Sequence, residues 1–244
     1  MRKKKLMKHI MFPATHRLRI IAISTMALLF TFPVFAQEAL WKKLNGKLIK
    51  FYQEDQYAEA ISTGNEALQV AEETFGKEHP KVATSLNNLA LLYKAQGQYN
   101  TAEDFYKQSL TILEKSLGTE NPKIGTARYN LAQLYHSQER YDEAEEMYKR
   151  TLAIDEKILS PEHPDVALSL HNLAQLYNDQ ERYDEAESLY KRVLTILEKV
   201  LGPDHENVAL VLDNLASLYQ KTGKKEEADK LSGRAKQIRS KGFK

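Results

Sequence analysis

Asparagines recur at 42-residue intervals along this chain, as Asn88, Asn130, Asn172 and Asn214. An asparagine amide carries both donors and an acceptor, which complements the backbone of an extended peptide. It is also a poor helix former, costing up to about 0.7 kcal/mol against alanine. Its return in helical surroundings therefore asks for a reason. Gln133 and Gln175 stand three residues after two of them, and the residue just before each varies: Asn87, Tyr129, His171 and Asp213. The asparagines read as a ladder for a partner's main chain. The varying set, with Tyr129 and His171 foremost, reads as the source of side-chain specificity. Two other readings stay open at this point: each asparagine bonds a neighbouring helix, or the repeats are recent copies that carry it by inheritance.

Other combinations carry less. Glu78-His79, Glu162-His163 and Asp204-His205 recur and could suggest metal ligands, but the fourth copy is Glu120-Asn121. A position that takes His or Asn just before a proline is most simply a helix start. The chain has no cysteine, which excludes disulfides, thiol nucleophiles and thiolate metal sites. No nucleophile has a base nearby and no glycine-rich loop could cradle phosphate. No enzyme activity, metal or cofactor is expected.

The elements that must position these residues follow from internal repetition. At an offset of 42, Tyr93 meets Tyr135, Tyr177 and Tyr219, and Ala102 meets Ala144, Ala186 and Ala228. Gly76 to Ala83 (GKEHPKVA) parallels Gly118 to Gly125, Ser160 to Ala167 and Gly202 to Ala209. A weaker first unit has Phe51, Tyr57 and Ala60 in the places of Tyr93, Tyr99 and Ala102. Each unit predicts two helices. Leu86, Leu89, Ala90 and Tyr93 form one apolar stripe; Gly97-Gln98 breaks it, and a second amphipathic segment runs from Tyr99 to about Leu117. Pro80, Pro122 and Pro164 suit first helical turns, and Gly118 and Gly202 suit left-handed caps. Glu145/Lys149, Glu146/Arg150 and Glu187/Lys191 are spaced for ion pairs on the outer face. At about 100° per residue, the side opposite the first-helix stripe carries Thr84, Asn88, Leu91 and Ala95 and their counterparts. Only Asp179 and Lys221 among those are charged, unlike an ordinary solvated face.

Leu86-x2-Leu89-Ala90-x2-Tyr93 followed by Ala102-x3-Tyr106 resembles the tetratricopeptide pattern, and the strings NNLALLY, YNLAQLY and HNLAQLY resemble its longer kinesin-light-chain variety. The resemblance covers about residues 40–239. It implies an all-α, right-handed superhelical solenoid of about five helix-turn-helix repeats, approximately 38–75, 80–117, 122–159, 164–201 and 206–240. It also implies that the first helices line a concave groove, where related arrays place asparagines to hold peptides. Arg128 departs from the leucine seen at Leu86, Leu170 and Leu212. In the final helix Ser232, Lys236 and Arg239 replace apolar residues of earlier units, so that helix reads as the cap of the array.

The ends of the chain differ from its body. The first 36 residues hold seven bases, all before Ile20, and no acid, and the apolar run IIAISTMALLFTFPVF begins at Ile20. This reads as a bacterial-type signal peptide, residues 1–36, cleaved after Ala36. Pro33 disfavours a helix continuing to the end of the run. The mature chain is then periplasmic or secreted without stable membrane insertion; an uncleaved inner-membrane anchor is the alternative. Residues 37–220 hold nineteen bases against thirty acids, a net charge of −11, and residues 221–244 hold nine bases against three acids. The reading is an exported interaction scaffold for a protein or peptide ligand, binding through Asn88, Asn130, Asn172, Asn214, Tyr129, His171, Gln133 and Gln175. Alternatives are a spacer that homo-oligomerises and weak polyanion binding by the basic tail. The acidic body and scarce tail aromatics argue against nucleic acid.

Overall fold

In the computed structural model, residues 15–121 and 124–242 are described. Among them every element is an α-helix: α1 (Thr15–Gln53), α2 (Tyr57–Phe75), α3 (Pro80–Ala95), α4 (Tyr99–Leu117), α5 (Gly125–Ser137), α6 (Tyr141–Ile158), α7 (Pro164–Asp179), α8 (Tyr183–Leu201), α9 (Glu206–Lys221) and α10 (Lys225–Gly242). They pair as five helix hairpins, each packed on the next, in an all-α repeat superhelix. Pro122, expected in a first turn, lies outside the described residues, as do residues 1–14 of the expected signal peptide. The helix expected to weaken at Pro33 runs through it, losing one backbone hydrogen bond there. Among the described residues no helix is long and apolar enough to cross a membrane.

The recurrent histidines start helices. His79, His163 and His205 are N-caps whose Nδ1 atoms accept from the backbone N–H groups of Lys81, Asp165 and Asn207 at 3.1, 3.2 and 3.1 Å. That satisfies one of the free donors of each first turn. The glycines that close second helices differ from expectation. Gly118 and Gly202 have φ of 86° and 90°, but ψ of 146° and 155°. This is an extended region open almost only to glycine, not the left-handed helical cap.

Small residues set the helix spacing. Ala90, Ala102, Ala132, Ala144, Ala174 and Ala186 are all completely buried, letting the two helices of each hairpin approach closely. Tyr106, Tyr148 and Tyr190 fill the second-helix core at the same place in successive units. Between units, a glutamate on one second helix takes the next unit's Arg or Lys and Tyr. Glu145 pairs with Arg182 at 2.7 Å and accepts from the Tyr177 hydroxyl at 3.0 Å. Glu187 does the same with Lys224 and Tyr219 at 2.7 and 2.8 Å, and Glu103 with Arg140 and Tyr135. The Lys191 and Lys224 ammonium groups hold the Glu187 carboxyl down to about 2.

Two expectations for charged residues change. Glu145/Lys149 and Glu187/Lys191 pair as spaced, but Arg150 reaches across to Glu114 at 3.3 Å instead of pairing with Glu146. Glu114 also binds Arg128 at 3.0 Å. Arg128, standing at a leucine position, is only 1% exposed. Its guanidinium also donates to the Thr119 carbonyl, and its Nε has no partner among the described residues. In the tail, Lys224, Lys230, Arg234, Arg239 and Lys241 are all in ion pairs with acids of this chain.

Candidate partner-binding groove

The first helices α3, α5, α7 and α9 present the face singled out by the asparagines. Its outermost positions are exposed, Leu168 and Leu210 by 56% and 51%. The asparagines sit deeper than the helical period alone implies. Asn88, Asn130 and Asn214 are half-buried, and Asn172 is only 7% exposed. Each leans toward the preceding unit, whose varying residue lies 43 positions earlier.

That geometry divides the ladder. Asn88 Nδ2 donates to Asn45 Oδ1 at 2.7 Å, and Asn130 Nδ2 donates to Asn87 Oδ1 at 3.0 Å. These two amides tie neighbouring helices together. At the next steps the varying residues are Tyr129 and His171, which accept no such bond. Tyr129 turns its hydroxyl to Gln133 Nε2 at 2.5 Å. His171 packs edge-on to Tyr190 with centroids 5.8 Å apart, and burial lowers its pKa, which favours the uncharged ring. The Asn172 side chain forms no hydrogen bond among the described residues, and Asn214 Nδ2 is buried without a partner. A buried donor left as Asn214 Nδ2 is costs about 1–3 kcal/mol, whereas the Asn172 amide opens onto a cavity. The structure thus brings Tyr129 and Gln133 together, keeps Gln175 exposed, and leaves Asn172 and Asn214 with free amides.

Two cavities open beside the free amides. One of about 370 Å3 lies between α5 and α7 with α6 as its floor, and Tyr129, Tyr148, Asp155, Leu168 and Asn172 line it. The other, of about 220 Å3, includes His136, Gln175, Tyr190, Asn214 and Ser217. The signal for these places was present in the repeat columns. Asp155 stands where Leu113 and Leu197 stand, a substitution the sequence reading passed over. Among the described residues no cluster of three or more His, Asp or Glu could hold a metal ion.

The tetratricopeptide repeat profile matches residues 48–115, 98–157, 123–199 and 165–241. No curated protein matches the sequence. Among solved structures, kinesin-light-chain nearly identical TPR-like repeats from Podosopora anserina are 29% identical, covering 83% of this chain and 95% of that one with a TM-score of 0.73. BtubC (BKLC) from P. vanneervenii is 24% identical over 95% of this chain and 93% of its own, with a TM-score of 0.77. A Rap protein complexed with Competence and Sporulation Factor shares the fold at 16% identity and a TM-score of 0.65, covering 82% of this chain and 54% of that one. The profile spans most of the sequence in overlapping units, and the helices repeat in the same register. The chain belongs to the tetratricopeptide repeat family.

Proposed function

We propose that this protein is an exported interaction scaffold, binding rather than catalytic, that holds an extended peptide or a peptide-like segment of a partner protein in the concave groove of its first helices. One observation carries the reading: Asn214 Nδ2 is buried without a partner and the largely buried Asn172 side chain forms no hydrogen bond among the described residues, and a bound main chain would satisfy both. The scarcity of charge on that face supports it, because neutral amides recognise a backbone of any sequence. So does the fold shared with a Rap protein whose structure holds the Competence and Sporulation Factor.

The test is a pair of double variants, melted and titrated with a peptide selected from a random library on the full chain. Asn172→Ala with Asn214→Ala will raise the melting point, since it removes the unsatisfied buried Asn214 donor and alanine is the better helix former. Affinity will fall about 5- to 150-fold as two hydrogen bonds are lost. Asn88→Ala with Asn130→Ala will do the reverse, lowering the melting point because interhelical bonds are removed. Unchanged affinity in the first double variant refutes the groove.

Export rests on the sequence of residues 1–36. Leu44 and Leu48 of α1 are buried, and Trp41 Nε1 donates to Ser85 Oγ at 2.9 Å, all beyond Gln37. Cleavage after Ala36 therefore keeps these contacts of the first unit. The intact mass of protein from an exporting host will begin at Gln37; full-length protein in the membrane fraction points to an anchor instead.

A further inference from the structure

The cavity between α5 and α7 breaks the pattern of the array in its chemistry. Its walls carry Thr151, Asp155 and Ser169. One unit later the same places hold Val193, Leu197 and Val211, all buried. Gly125 stands where Ala83, Ala167 and Ala209 stand, and a β-carbon there would meet only Thr151 Cγ2, at 3.8 Å. This interval has therefore lost apolar volume and gained polar groups where its neighbour along the array is filled. A solenoid that needed only stability would have kept the leucine.

Asp155 is the centre of the anomaly. It is 6% exposed, and its one hydrogen bond is from Ser169 Oγ at 2.7 Å. A buried carboxylate with a single hydroxyl donor is costly, and its burial pushes its pKa up. The charged groups facing it come from α5 and from the start of α7. On α5, Arg128 is already held by Glu114 and the Thr119 carbonyl. On α7, Asp165 lines the same cavity and adds a second carboxylate. His163, the cap of α7, lies 3.6 Å from Asp165. No cation of the chain pairs with Asp155 among the described residues.

The rest of the lining suits the missing cation. The Tyr129 and Tyr148 rings stand 6.3 Å apart, centroid to centroid. The Tyr148 hydroxyl, on a residue 3% exposed, and the Asn172 amide have no hydrogen-bond partner among the described residues. Leu168 is exposed on the same lining and offers an apolar surface for an aliphatic stem. A guanidinium or ammonium group would meet a carboxylate, aromatic faces and free polar atoms together. The −11 charge of residues 37–220 would draw a basic segment toward it.

We propose that this cavity is the anchor pocket for one arginine or lysine side chain of the extended peptide bound along the first helices. The proposal rests on the groove reading above and narrows its ligand to peptides with a basic residue at one fixed place. An ion pair completed by the ligand offsets the buried carboxylate, which has only the Ser169 hydroxyl and no cation beside it among the described residues.

The experiment is selection of random dodecapeptides on the full chain, repeated on Asp155→Asn, with affinities measured by fluorescence anisotropy. Asp155→Leu serves as a second variant, because leucine is native at the equivalent sites. Wild-type selections will share one Arg or Lys. Replacing it with Gln will weaken binding about 10- to 100-fold to the wild type and by little to either variant. Peptides that need the Asn172 and Asn214 amides but show no basic preference, or are indifferent to both Asp155 variants, overturn the anchor and leave the groove standing. Failure to select any groove-dependent peptide overturns both. Free N-acetyl-arginine amide binding as tightly as the peptides overturns the peptide anchor in favour of a small-molecule site.

Discussion

Glu114→Ala will lower the stability of the array by about 3 kcal/mol, with about 5 kcal/mol as its upper bound, whereas Arg128→Leu will leave it unchanged or raise it. The two residues form one ion pair at 3.0 Å, yet their removal is not symmetrical. Arg128 is the buried partner, and its Nε is already without an acceptor. Taking away Glu114 leaves a desolvated guanidinium with only the Thr119 carbonyl, and also frees Arg150. Taking away Arg128 leaves a carboxylate that is 23% exposed and still paired with Arg150. Leucine then restores the side chain found at Leu86, Leu170 and Leu212. Urea titration of both variants checks this, compared at the midpoint because repeat arrays need not unfold in one step. Equal damage from the two substitutions would show that the guanidinium itself staples the units together.

Asp155→Leu will stabilise the fold by about 1–3 kcal/mol at neutral pH, the usual scale for an inadequately paired buried polar group. The pH dependence has a definite sign. The folded-state pKa lies above the ordinary 3.8 because of burial, with Asp165 raising it further and Ser169, Arg128 and His163 opposing. Between 3.8 and the raised value the folded state binds more protons than the unfolded one, so stability falls as pH rises through that window. The penalty is complete above the window and absent below 3.8. The advantage of Asp155→Leu over wild type will therefore shrink as pH drops from 7 toward 4. An advantage independent of pH would mean that it comes from filling volume alone.

Much of the architecture was legible because one pattern is written several times. The Tyr99–Leu117 helix, the histidine helix starts and the alanine crossings each follow from a column of the repeat. Residues whose partner lies in another unit were harder. Asn88 and Asn130 could be placed on the correct face, but their bonds to Asn45 and Asn87 follow a step of 43 rather than 42. That extra residue comes from how one first helix leans on the one before it, which a single unit cannot reveal. The same step explains why Tyr129 and His171 leave the following asparagines unpaired. Glu146/Arg150 failed for a related reason: helical spacing permits the pair, but a carboxylate on α4 lies within reach of the arginine. Asp155 needed only comparison down its column, yet its meaning depends on Gly125, Thr151 and Ser169, which meet it only once two hairpins are stacked.

The glutamate contacts between hairpins have a genealogical consequence. Each joins residues 37 apart to its Arg or Lys and 32 apart to its Tyr. Duplication or loss of 42 consecutive residues in the gene, wherever the cut falls within this region, regenerates both spacings at the new junction. The number of units can therefore grow or shrink by recombination without any interface being invented. Each interval between units is then a locus that can drift alone, and the one holding Asp155 has changed while the clasps on either side kept their spacing.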